Sequence, residues 1–279
     1  MNIVSFNLKN PTNTKPIQLV NPVQNLTIGV KTFCRPDTLE YALDYSIHTM
    51  VNAKINIRII IADDSRDDVK ETNNGVIRKL HEKYLNLHIQ KIDLPFDSGL
   101  SIGRNRIVDE CKTEYIFIVD DSRTFPSDIL KMVTFLQETH YDLIGCIIPN
   151  RHGINSYYSG KFHNITDISG HTYVSVQRID KEKDEIKNTC NIDTWDTDIM
   201  LNVFVARTEL LRQVKWRPEL KLQEHDPFFY DLYRHGAKCA ITPSIRSIEV
   251  PFKYRRYPPG LESYRGRHFK TNVTVKMYK

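Results

Sequence analysis

Apolar residues along this chain gather into short runs separated by stretches with helical spacing. Leu26–Val30 reads as a first strand. Pro36 and Asp37 then open a helix in which Leu39, Leu43, Ile47 and Met50 recur at the spacing of one buried face. Ile57–Ala62 (IRIIIA) is a second buried strand and ends in the acid pair Asp63-Asp64. A polar helix to about Leu85 and a strand at Leu87–Ile92 follow. The next strand, Tyr115–Val119 (YIFIV), is uncharged, β-branched and aromatic, as expected of a central strand covered on both faces. It comes after a Gly-punctuated turn and a short helix carrying Arg104 and Asn105, and it stops at Asp120 and Asp121. Ser127 to about Thr139 is a further helix and Asp142–Ile148 a further strand.

From 149 to 198 the pattern loosens, with one strand expected at Tyr173–Ile179 and a solvated connection at KEKDEIKN. Regularity returns with a strand at Ile199–Ala206 and a helix at TELLRQV. A last helix is expected to open at Glu224-His225-Asp226 and to bury Phe228, Phe229, Leu232 and Tyr233. Strands alternating with helices predict an α/β fold, with a mostly parallel central sheet and helices on both faces. Residues 1–25, polar and holding Pro11, Pro16 and Pro22, are expected to form an extended arm, and 26–279 one domain. A chain of 279 residues is long enough for a substantial core.

Composition narrows the classes. The formal net charge of +5 is mild, and much of it lies in KYRRY and YRGRHFK near the C-terminus, a candidate clamp for an anionic ligand such as a diphosphate. A nucleic-acid binder would be more basic, and no helix-turn-helix or zinc-finger pattern is present. The five cysteines are scattered and form no CxxC pair, which argues against a disulfide framework or a structural zinc. No stretch approaches the 18 or so apolar residues of a membrane span, so a soluble, cytoplasmic protein is the expectation.

The candidate chemistry sits at strand ends, where ligands of open α/β sheets gather. Two neighbouring acid pairs, Asp63-Asp64 and Asp120-Asp121, would repel one another unless a cation or ligand donors intervene, which favours a hard divalent ion. Arg104 and Asn105 near a helix N-terminus suit a phosphate. Glu224 or Asp226 would serve as a general base, with aromatic residues around Trp216 offering a wall for a sugar.

In order, IIADDS, GLSIGRNR and TEYIFIVDDS resemble glycosyltransferase family 2 and related GT-A enzymes. KTFCRPDTL and NVFVARTELLRQVKWRPELKLQEHDPFF are similar to the β-1,4-N-acetylgalactosaminyltransferase branch. The resemblance implies a GT-A, Rossmann-like nucleotide-diphospho-sugar transferase fold, with a nucleotide-binding half at about 26–148, an acceptor half at about 149–250 and a basic tail at 251–279. It implies an inverting transfer of GalNAc or GlcNAc from a UDP-sugar donor to a carbohydrate acceptor, with Mn²⁺ or Mg²⁺ as cofactor. Thr32, Arg35, Asp63, Asp64, Arg104, Asn105 and Asp120 would bind the nucleotide-sugar. Asp120, Asp121, Ser122 and His268 would hold the metal, Ser122 standing where the family has an Asp. Trp216 and His225 would meet the acceptor, and Asp226 or Glu224 would be the base. The alternatives are a catalytically silent UDP- or carbohydrate-binding module of the same fold, or a sugar nucleotidyltransferase.

Overall fold

The computed structural model describes residues 17–18, 25–149, 155–156, 158–180, 184–257 and 273–278. Its spine alternates β1 (Leu26–Thr32), α1 (Pro36–Asn52), β2 (Arg58–Asp63), α2 (Asp67–Lys83), β3 (Ile89–Asp93), α3 (Leu100–Glu110), β4 (Tyr115–Asp120), α4 (Ile129–Glu138) and β5 (Leu143–Pro149). A hairpin follows, β6 (Gly160–Ile168) and β7 (His171–Arg178), then β8 (Lys187–Thr189), β9 (Ile192–Thr197), β10 (Phe204–Arg207), α5 (Thr208–Gln213), α6 (His225–His235), β11 (Cys239–Arg246) and β12 (Val273–Tyr278).

Nine of these strands form the path β8-β9-β11-β5-β10-β4-β1-β2-β3, and Asn155–Ser156 pairs with β5 as a tenth. The pairings β1 with β2, β1 with β4 and β2 with β3 are parallel. β10 lies antiparallel to both β4 and β5, so the two inversions cancel and β5 with its parallel neighbour β11 runs the same way as β4. The mostly parallel sheet expected from the sequence is thus present, with β10 reversed in its middle and β9 reversed towards one edge.

Alternation along the strands decides which helix covers which face. Tyr115, Phe117 and Val119 of β4 pack with the apolar stripes of α1, α2 and α4. Ile116 and Ile118 pack with α3, α5 and α6 through Ile107, Leu211, Phe228 and Phe229. Side chains of a two-residue period thereby bind both helical layers to a single strand.

The loosely patterned region differs from expectation. The 149–198 region holds β6, β7, β8 and β9 rather than one strand, and β6 and β7 form a second, three-stranded sheet with β12. β6 was hidden in the sequence because most of its side chains face solvent, leaving no apolar alternation to read. The strand expected at Ile199–Ala206 is confined to Phe204–Arg207, because Ile199 instead bridges Gly160 beside the hairpin. Among the described residues no helix is long and apolar enough to cross a membrane.

Candidate active site

The carboxyl ends of β1, β2 and β4 meet at one edge, with Thr32 opposite Asp63 and Lys31 opposite Asp120. Asp63 is fully buried; it accepts hydrogen bonds from the Ser65 N–H at 3.0 Å and from Asn73 Nδ2 at 2.9 Å. Asp64 accepts from Lys31 Nζ and from the Gly99 N–H, the latter at 2.7 Å. Both acids, expected to bind the nucleotide-sugar, are therefore engaged by protein donors, since burying a carboxylate requires this degree of pairing. Lys31, a lone charge in an apolar strand, is the residue sequence reasoning passed over. It lies at 2% exposure beneath α3, its stem filling the space left by Gly103. Gly99 at φ +93 makes the turn into α3 and abuts Lys221.

On β4 the two acids have different environments. Asp121 is fully buried, and its two oxygens accept from Arg35 Nη2 and, at 2.7 Å, from Thr32 Oγ1. Burial pushes its carboxyl above the usual range despite Arg35. The Asp120 side chain is one-third exposed and accepts from Arg104 Nη2 at 2.9 Å. Burial would raise it too, but Arg104, with Arg35 and Arg123 further out, outweighs that and holds Asp120 below the usual carboxylate range. Thr32 and Arg35 are thus at the predicted edge, tied to Asp121.

Arg104 joins this edge to α6. Its guanidinium, 1% exposed, binds Asp120 with one arm and Glu224 Oε1 with the other, and sits 5.7 Å from the Trp216 ring. Two of the predicted residues have structural duties instead. Asn105 clips the Trp216 backbone, donating to its carbonyl at 2.7 Å and accepting from its N–H at 3.0 Å, so its amide is not available to a phosphate. Trp216 is fully buried and stacked on Phe228 at 4.0 Å, which removes it as an acceptor-facing wall.

Around the start of α6, Glu224 Oε2 and His225 Nε2 are buried with no protein partner. His225 lies between Tyr158 at 5.2 Å and Phe229 at 5.1 Å. Burial first, then Arg104, lowers its imidazole to about 3, so the ring is neutral. Burial raises the Asp226 carboxyl, and its hydrogen bond from the Tyr158 hydroxyl at 3.0 Å pulls it partly back. Tyr158 was also missed, because it comes from the poorly patterned segment. His268 lies outside the described residues.

The metal implied by the resemblance finds a poor donor set. Asp121 has both oxygens engaged and no exposure, and Asp120 has one oxygen on Arg104. Ser122 offers only a neutral hydroxyl, its carbonyl being used by Arg123 Nη1 and the Val250 N–H. No group of three His, Cys, Asp or Glu among the described residues is arranged to hold a metal ion. These residues do not fit a divalent cation.

A Rossmann-like sheet with its ligand edge at β1, β2 and β4, faced by an acidic helix start, defines a GT-A nucleotide-sugar transferase fold. The chain belongs to glycosyl transferase family 2, whose sequence profile matches residues 27–195. It is 30% identical over 261 residues to human β-1,4 N-acetylgalactosaminyltransferase 1, covering 87% of this chain and 45% of that protein. With the mouse protein of the same name it shares 28% over 250 residues, 86% of this chain and 42% of the other. The chain thus spans less than half the length of these relatives. Among solved structures, S. aureus TarS 1–349 in complex with UDP-GlcNAc superposes with a TM-score of 0.54 at 16% identity, over 84% of this chain and 62% of that one. GalNAc-T7 with UDP, GalNAc and Mn²⁺ gives 0.57 at 12% identity, over 82% and 44%.

Proposed function

We propose that this chain is an inverting glycosyltransferase that moves GalNAc or GlcNAc from a UDP-sugar to a hydroxyl of a carbohydrate acceptor. The observation that carries the reading is Arg104, which holds the strand-end Asp120 and the α6-start Glu224 in one guanidinium. A nucleotide-sugar at the β-edge would thereby be set against the start of α6, the element that carries the candidate base, the positioning that accelerates a two-substrate reaction. The acceptor oxygen attacks the anomeric carbon opposite the diphosphate. As the new C–O bond forms, the bond from carbon to the β-phosphate oxygen breaks, its electron pair stays on UDP, and the hydroxyl proton passes to a carboxylate.

Asp226 is the better base of the two candidates. Glu224 is committed to Arg104, whereas Asp226 is made more basic by desolvation, a gain that the hydrogen bond it accepts from the Tyr158 hydroxyl offsets only in part. His225, neutral and flanked by rings, would orient the acceptor.

Pooled UDP-sugars with a panel of glycan acceptors test this by UDP release. Turnover with a UDP-N-acetylhexosamine is expected, and Asp226→Asn is expected to lower kcat at least 100-fold with the UDP Kd within twofold of the parent. Absence of UDP release with every donor, together with absence of UDP binding by calorimetry, refutes it.

A further inference from the structure

The misfit between the strand end and a divalent cation leaves open what receives the charge of the departing diphosphate. Immediately after Asp120-Asp121-Ser122 the chain turns through Arg123, whose N–H bonds the Asp120 carbonyl at 3.1 Å. The 247–250 segment is zipped to this turn. The Val250 N–H donates to the Ser122 carbonyl at 2.9 Å, the Thr124 N–H donates to the Ile248 carbonyl at 2.9 Å, and Ser247 Oγ donates to the Thr124 carbonyl at 2.7 Å. The zipper sets Glu249 opposite Arg123.

Glu249 Oε1 then accepts from two guanidinium groups at once, Arg123 Nη1 at 2.8 Å and Arg255 Nη1 at 2.5 Å. Arg255 is placed by its own strap. Tyr254 stacks on Tyr41 at 4.7 Å, and its carbonyl accepts from Thr38 Oγ1 at 2.5 Å, pinning the strap to the first turns of α1. Two cations on one carboxylate leave this trio with an uncompensated positive charge. It is not sealed away, because the arginine side chains are each 21% exposed and Glu249 30%.

A divalent cation beside these guanidiniums meets direct repulsion, and the two part-exposed carboxylates at hand are already paired, Asp120 with Arg104 and Glu249 with both Arg123 and Arg255. A diphosphate meets the opposite: planar forks whose geometry matches phosphate oxygens in pairs.

Resting on the glycosyltransferase reading, we propose that Arg123 and Arg255, held on Glu249, supply the positive charge that receives the leaving diphosphate, in place of a divalent metal ion. Glu249 is a positioning residue that sets the two forks side by side. Arg255 lies in the KYRRY run, so part of the C-terminal basic excess has this use.

Calorimetry of the full chain with UDP and with uridine, in EDTA and in Mn²⁺, tests the proposal alongside UDP release. The UDP Kd and the turnover in EDTA are expected to stay within twofold of those in Mn²⁺. Arg123→Ala with Arg255→Ala is expected to weaken UDP at least thirtyfold and leave uridine within twofold, a split that general unfolding cannot produce. The paired Lys variants should recover at least a third of the lost binding free energy. Turnover abolished by EDTA and restored by Mn²⁺ overturns the proposal while leaving the transferase reading intact. UDP affinity unchanged in the double Ala variant overturns it as well. A chain that binds no UDP under any condition overturns both.

Discussion

Gly103→Ala is a substitution on which two physical rules disagree. Helix propensity favours it, since Ala in the interior of α3 is better than Gly by about 1 kcal/mol. Packing opposes it. A Cβ at this position falls well inside the contact radius of Lys31 Cδ and Cε, with Cγ at 3.4 Å. Lys31 can relieve the overlap only by leaving its groove, and its ammonium then loses Asp64 and the Thr32 carbonyl. Overpacking costs about 1–3 kcal/mol, and breaking a buried ion pair outright about 3–5 kcal/mol. Lys31 is flexible and would retain part of its pairing, so the net expectation is a loss of about 2–4 kcal/mol after the propensity gain is subtracted. At this chain length about 2 °C accompanies each kcal/mol, giving a fall in Tm of about 4–8 °C. Thermal unfolding followed by circular dichroism measures it. Because Asp64 also holds the Gly99 turn at the nucleotide edge, KM for the donor should rise more than kcat falls. A Tm equal to or above the parent value refutes the buried Lys31–Asp64 wall and shows that propensity decides at this site.

The other predictions concern single groups. Tyr158→Phe removes a hydrogen bond that favours ionised Asp226, so the acid limb of the kcat/KM profile, already above the ordinary carboxylate pKa, should move to still higher pH; an unmoved or lowered limb argues against Asp226 as the base. Asn105→Ala breaks both bonds to the Trp216 backbone and should cost about 2 kcal/mol in denaturant unfolding, with the UDP Kd within twofold; a selective loss of UDP affinity would return Asn105 to the phosphate site. In the proposed donor site Asp120 is the part-exposed carboxylate that would accept from the ribose hydroxyls, so Asp120→Ala should weaken UDP and uridine alike at least tenfold while Tm moves by only a few degrees.

Much of the fold over 26–148 was legible because its strands are buried on both faces and end abruptly in charge. YIFIV followed by two acids is legible as a buried strand from its residues alone, and so is the helix bearing Arg104. What the pattern concealed were duties set by tertiary partners. Nothing local distinguishes Asp120, open to the cleft, from Asp121, sealed beneath Arg35 and Thr32. Asn105 reads as a ligand beside Arg104, yet its partner is a backbone 111 residues away. Glu249 carried no signal at all, since its meaning comes from two arginines brought together by a turn and a strap. The first strand of the hairpin, Gly160–Ile168, was obscure for the opposite reason, being too polar to show a period, whereas the second matches the strand expected at Tyr173–Ile179.

The reversed strand β10 has a consequence for how the chain is made. β4 and β5 are complete by residue 149, but neither pairs with the other; the slot between them waits for Phe204–Arg207. During synthesis the ribosome must deliver more than fifty further residues before that slot closes. Until then the slot leaves one edge of β4 and one of β5 bare, both apolar and able to pair with a neighbouring chain. A fragment ending near 150, although it spans the whole βαβ half, would keep those edges permanently. The half at 26–148 is therefore early in sequence and late in folding, and its solubility in isolation depends on a short strand encoded well beyond its own boundary.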